Sequence, residues 1–105
     1  MSRSEFRYNK KRKHYAYLFK DLQDYRKNIL ITTKPIMKIH GKNKRNVKLY
    51  KHPNPNLIKD VFIIPYVYID DKNVFYPKVL NWQFDKNDKR KVKRIKKKKI
   101  AKIKK

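Results

Sequence analysis

Thirteen of the twenty residues from 86 to 105 are lysine or arginine, and the only acid among them is Asp88. Ammonium and guanidinium groups packed this densely repel one another, so such a run stays extended and solvated until a polyanion neutralises it. That leaves about eighty residues for a core, enough for one domain whose interior is worth only a few kcal/mol. The rest of the chain leans the same way, and 32 cations against 8 acids give a formal charge of +24 on 105 residues. A surplus of this size bears on partners more than on fold. Its natural counterpart is a nucleic-acid backbone, with about one negative charge per 1.7 Å of duplex axis.

Several function classes fall away on residue chemistry. There is no cysteine, hence no thiolate metal site, disulfide or thiol nucleophile. No apolar run reaches the roughly 18 residues of a membrane span. The N-terminal stretch is basic, contains Glu5 and has no apolar h-region, which argues against secretion. Serine occurs only at Ser2 and Ser4, and His14, His40 and His52 lack metal-ligand spacing. The histidines read as polar contacts beside phosphate or as solvated groups. Asp70-Asp71 and Asp85-x-x-Asp88 could in principle hold a divalent ion beside a cleaved phosphate. The simpler reading makes the first pair turn chemistry and the second loop chemistry. With one glycine, Gly41, there is no phosphate-cradling loop. The expectation is a protein that is not an enzyme and uses no cofactor and no metal.

The chain divides into a basic arm (1–13), an α+β domain (14–85) and a lysine-rich tail (86–105). Tyr15, Leu18, Phe19, Leu22, Tyr25 and Ile29 recur at spacings of three and four, which predicts an amphipathic helix over 14–29 packed on a small antiparallel sheet. From Leu30 to Trp82 the chain reads as β. A β-branched run covers 29–33, a second segment covers 36–40, and a loop follows at 41–46. Val47, Lys48 and Leu49 alternate as a half-buried strand, and Pro53-Asn54-Pro55-Asn56 is a turn. Residues 61–69 and 74–82 predict a hairpin closed by Asp70-Asp71-Lys72-Asn73, with Val67 opposite Tyr76 and Tyr68 opposite Phe75. Both its faces are apolar or aromatic, so one lacks a cover within the chain. In the tail, Val92, Ile95, Ile100 and Ile103 share one helical face. Like-charge repulsion should keep that helix from forming until a polyanion is bound.

The wealth of Lys, Asn, Ile, Tyr and Phe beside one glycine and two alanines suggests an A/T-biased genome, such as that of an organelle, a parasite or a reduced bacterium. Drift alone does not pack thirteen cations into twenty positions. A lysine-rich surface holds phosphates as point charges rather than reading bases through bidentate forks. The cations placed against RNA are Arg3, Arg7, Lys10, Lys11, Arg12 and Lys13 in the arm, and Lys42, Lys44 and Arg45 in the loop. In the tail they are Lys89, Arg90, Lys91, Lys93, Arg94, Lys96, Lys97, Lys98 and Lys99. Tyr66, Tyr68, Phe75, Tyr76 and Trp82 are available to stack bases or to fill a core. A small nucleus flanked by basic segments, here residues 3–14 and 89–105, resembles small ribosomal proteins. No family motif accompanies that likeness. The resemblance implies a structural, rRNA-binding subunit of a ribosome, mitochondrial or otherwise organellar rather than cytoplasmic, contacting ribosomal RNA and neighbouring ribosomal proteins. Two other readings of the same charge are an architectural DNA-binding protein and a polybasic protein on an anionic membrane.

Overall fold

The computed structural model of the protein describes residues 4–35 and 46–97. The expected strand at 36–40, nearly all of the loop at 41–46, and Ile100 and Ile103 lie outside these residues.

Residues 14–29 are not a helix. They form strand β2 (His14–Leu22) and the first part of β3 (Tyr25–Thr32), joined by a tight turn at Gln23 and Asp24. The apolar positions here are dense enough to satisfy two periods at once. A helical reading uses Tyr15, Leu18 and Leu22 but gives Ala16 and Tyr17 no role. With a period of two, Ala16 and Leu18 bury on one face, and Tyr17 and Phe19 pack on the other. The second pattern wins because pairing partners exist on both sides, and tertiary pairing overrides local propensity. One partner is β1 (Glu5–Asn9), which runs antiparallel to β2 with Phe6 opposite Tyr17. Most of the expected arm is therefore a strand and its hairpin turn.

The far edge of β3 is shared by two short strands in succession. Ile63 in β5 (Phe62–Ile63) lies opposite Ile31, and β6 (Tyr68–Asp71) pairs with Tyr25 to Asn28. Between them Pro65 has no N–H to give the ladder, and the chain steps away through a Tyr66 N–H to Ile64 carbonyl bond of 2.7 Å. Strand β4 (Val47–Lys48) closes the sheet beyond β5, in the order β1-β2-β3-β5-β4.

The expected hairpin of 61–69 with 74–82 does not form. The Asp71 side chain accepts from the Asn73 N–H at 2.8 Å and starts a 3-10 turn, Lys72–Val74. That turn carries the chain across to the open edge of β1. There Phe75 bridges to Asn9 and Leu80 to Phe6, with Tyr76 N–H donating to the Tyr8 carbonyl at 2.9 Å. Pro77 is tolerable because this segment only skims the edge, which it also protects from pairing with another chain. Tyr68 and Phe75 do meet, but as side chains in a core with Ala16, Leu18, Leu30 and Ile64. The uncovered face anticipated around them is covered by the chain itself.

The opposite face of the sheet carries the larger core, with Phe6, Ile29, Ile31, Ile63 and Val67 under helix α1 (Lys86–Lys96). Asp85 caps the helix by accepting from the Asn87 N–H at 2.9 Å. Val92 and Ile95 are buried, each contributing about 1.5–3 kcal/mol. Like-charged pairs such as Lys89 with Lys93 and Arg90 with Arg94 oppose the helix by about 0.2–0.5 kcal/mol each. Burial outweighs this repulsion, and residues 86–96 are helical.

Candidate nucleic-acid interface

The structure sorts the predicted RNA-binding cations into two populations. The first is neutralised internally. Arg12 makes a bidentate pair with Asp70, at 2.8 Å from Nε and 2.7 Å from Nη2, and its guanidinium lies 4.2 Å from the centroid of the Tyr68 ring. Asn9 and Asn28 also donate to Asp70, at 3.0 and 3.1 Å. Burial alone would raise the Asp70 carboxyl. The bonds from Arg12, Asn28 and Asn9 outweigh it and hold the group below the usual carboxylate range. Burial also raises the Tyr68 hydroxyl, and there it prevails over the nearby Arg12, pushing the group up to about 12. Arg7 pairs with Glu5 and donates to the Tyr76 and Pro77 carbonyls at 3.1 and 2.7 Å. Glu5 also takes Arg26 at 2.9 Å, and these two arginines depress its carboxyl against the opposing effect of burial. Lys10 and Lys11 do not belong to this neutralised group: Lys10 sits 5.7 Å from the Tyr76 ring centroid, and Lys11 reaches Asp70 only at 3.9 Å from a largely exposed position.

The second population stands on α1. Its buried face holds Asp88, Val92 and Ile95, so Lys86, Lys89, Arg90, Lys93 and Arg94 are turned to solvent, with Lys97 just beyond. Asp88 cannot neutralise them. It is fully buried and accepts the Tyr50 and Lys51 backbone N–H groups at 2.7 and 3.1 Å, with Lys91 at 3.5 Å. Lys91 also donates to the Lys48 carbonyl at 3.1 Å, and Lys96 lies 5.2 Å from the Tyr17 ring centroid. Lys13 is exposed in the β1–β2 turn, at φ 58°. Arg3, Lys42, Lys44, Arg45, Lys98 and Lys99 lie outside the described residues.

Of the five aromatic candidates, Tyr68 and Phe75 are core and Tyr66 packs against them. Tyr76 is exposed beside Tyr8. Trp82 is placed differently from all four. It stands between two clefts, in ring contact with Phe6, Tyr15 and His52 at 5.8, 4.9 and 5.4 Å. The larger cleft, about 580 Å³, runs under α1, with Phe6, Tyr17 and Phe84 along it and Lys89, Lys93, Lys96 and Lys97 at its rim. The smaller, about 420 Å³, holds His14 and His52 with Lys13, Lys34 and Lys59. Lys34 and Lys59 are invisible to sequence reasoning, because isolated lysines in polar loops carry no pattern.

Burial lowers the His14 imidazole, and burial together with Lys59 lowers that of His52. His52 Nδ1 accepts from the Asn54 N–H at 3.0 Å, which assigns the ring proton to Nε2. Both rings line the smaller cleft, and their surroundings disfavour the charged imidazolium form. His40 lies outside the described residues. The acids considered for a metal have structural duties: Asp70 and Asp88 are buried acceptors, and Asp71 and Asp85 are caps. Among the described residues no three His, Asp or Glu side chains converge on a point, and no helix is long and apolar enough to cross a membrane. The surface therefore offers point charges for phosphates and flat rings beside them. No protein-family model, curated protein or solved structure matches this chain.

Proposed function

We propose that the protein is a structural, rRNA-binding component of a ribosome, organellar in keeping with its A/T-biased composition, and that α1 is its principal phosphate-binding element. One observation carries this reading. An apolar stripe anchors α1 to the sheet, while its outer face presents Lys86, Lys89, Arg90, Lys93 and Arg94 with no ion-pair partner among the described residues. The five outer-face cations on the eleven residues of α1 amount to one charge per about 3.3 Å of helix axis at a rise of 1.5 Å per residue. This is close to the charge spacing along one nucleic-acid strand, about 3.4 Å. Lysine predominates over arginine, which suits phosphate binding without sequence reading.

Sedimentation of a native lysate through a sucrose gradient tests the proposal. The protein should travel with one ribosomal subunit and leave it when the rRNA is digested. Recovery with DNA or with membranes overturns the reading. In vitro, replacing Lys89, Arg90, Lys93 and Arg94 together by glutamine should weaken RNA binding. The logarithmic salt slope should flatten by roughly 0.7–0.9 for each phosphate that is no longer neutralised. An unchanged slope would remove α1 from the interface.

A further inference from the structure

We infer that the cleft under α1 receives one unpaired RNA nucleotide, its base stacked on Trp82 and its phosphates held by the lysines of the rim. This rests on the RNA-binding reading above and goes beyond it, because phosphate binding alone needs no cleft.

Size, shape and charge point to the same occupant. A volume of about 580 Å³ is within the range of small-ligand sites, roughly 300–1,000 Å³, and too small for a duplex or a protein helix. The aromatic lining suits a planar guest. Phe84 meets Phe6 and Tyr17 edge-on, at 61° and 72°, so these rings form a rigid wall. Trp82 touches Phe6, Tyr15 and His52 at 49°, 48° and 77°, and none of these three is a parallel stack. Sequence-tolerant binding of single strands uses aromatic faces in this way, beside cations that track the backbone. Those cations are Lys89 and Lys93, one turn apart on the exposed side of α1, and Lys97 just beyond its end. Ser4 and Gln83, also at the cleft, can meet the polar edge of a base. A purely apolar guest would leave the lysines without counter-charge, and a free phosphate would leave the rings without purpose. A nucleotide uses both.

The second cleft supports an unpaired strand over an isolated mononucleotide. Trp82 is a wall of both clefts, and the far side again offers a ring, Tyr15, with Lys13, Lys34 and Lys59. A strand crossing Trp82 would find rings and cations on either side.

Trp82 is the only tryptophan in the chain, so its emission reads the site directly. The full-length protein should be titrated with a perfectly paired RNA hairpin, with the same hairpin carrying a single-nucleotide bulge, and with the bulged sequence as DNA. Both RNAs should bind. Only the bulged one should quench Trp82, and it should bind about tenfold more tightly, the scale of one stacked base. Trp82→Leu, checked by circular dichroism, should keep the affinity for paired RNA and lose the preference. Should that variant misfold, a fluorescent adenine analogue at the bulge reports stacking on the unaltered protein, and it should be quenched on binding. Equal affinities with unchanged emission overturn the base site and leave the phosphate-binding role standing. Failure to bind either RNA overturns both. Equal quenching by the bulged DNA overturns the commitment to RNA.

Discussion

Arg12 and Arg94 both lie in runs of basic residues, and the chain treats them in opposite ways. Arg12 is folded against a buried carboxylate and an aromatic ring. Arg94 stands on the outer face of α1 with solvent around it. The difference lies in where the scarce acids are. Glu5 serves Arg7 and Arg26, Asp21 serves Arg26, and Asp70 serves Arg12 with a weaker contact to Lys11. Of the acids beside α1, Asp85 is bound to Asn87 at the helix start and Asp88 is buried at its underside. Glu5 and Asp70 thus hold β1 and the β1–β2 turn, whereas Asp88 pairs with Lys91 on the underside of α1 and the outer-face cations have no ion pair among the described residues. Charge density in a sequence window does not tell these two fates apart.

The largest effect should come from breaking the neutralised side. Asp70→Ala strands Arg12, Asn9 and Asn28 without their shared acceptor, and removing one member of a buried pair costs about 3–5 kcal/mol. In so small a domain, urea or thermal denaturation should show a protein at or past its unfolding threshold. A loss under about 1 kcal/mol would mean that Asp70 does not anchor β1 and the β1–β2 turn. Next comes the underside of α1. Ile95→Ala opens a cavity worth about 2–5 kcal/mol and should undock the helix, lowering both stability and RNA affinity. The glutamine replacements on its outer face should lower affinity alone. If the two sets of variants behave alike, the division of α1 into an anchoring and a binding face is wrong.

Acid should sharpen the contrast. Asp70 and Glu5 have folded pKa values below their unfolded ones. Their stabilising contribution is complete above the unfolded carboxylate range, about pH 4, and disappears as pH falls through the folded values. His14 and His52 are also depressed in the folded state, so their loss begins earlier, below about pH 6.5. Urea midpoints should therefore decline gently from pH 6.5 and steeply below pH 4, and Asp70→Asn should remove part of the steep limb. Parallel limbs in the two proteins would deny Asp70 its role. The smallest effect belongs to Lys11→Ala. The lysine is largely exposed and 3.9 Å from Asp70, a geometry worth at most about 1 kcal/mol. A larger loss on denaturation would move Lys11 into the neutralised population.

Sequence alone determined the charge surplus, the strand at Val47, the turn at Pro53 to Asn56 and a small antiparallel sheet in a mixed α+β chain, though not where its helix lies. These depend on residue type and short-range chemistry, which a linear reading contains. The apolar stripe of Val92 and Ile95 was legible too, but not that a sheet would be there to receive it. Tertiary structure decided the rest. It chose strands over a helix at 14–29, because Ala16 and Tyr17 had cross-strand partners in β1 and β3. It sent 75–80 to β1 instead of back along 62–71, because the Asp71-capped turn and Pro65 redirected the chain. It placed Trp82 between two clefts by packing it on rings from β1 and β2. It also decided which cations remain free, since Asp70 lies 58 residues from Arg12 and only the folded sheet brings them together. Charges pair across space, and their spatial neighbours are set by the fold rather than by the order of the chain.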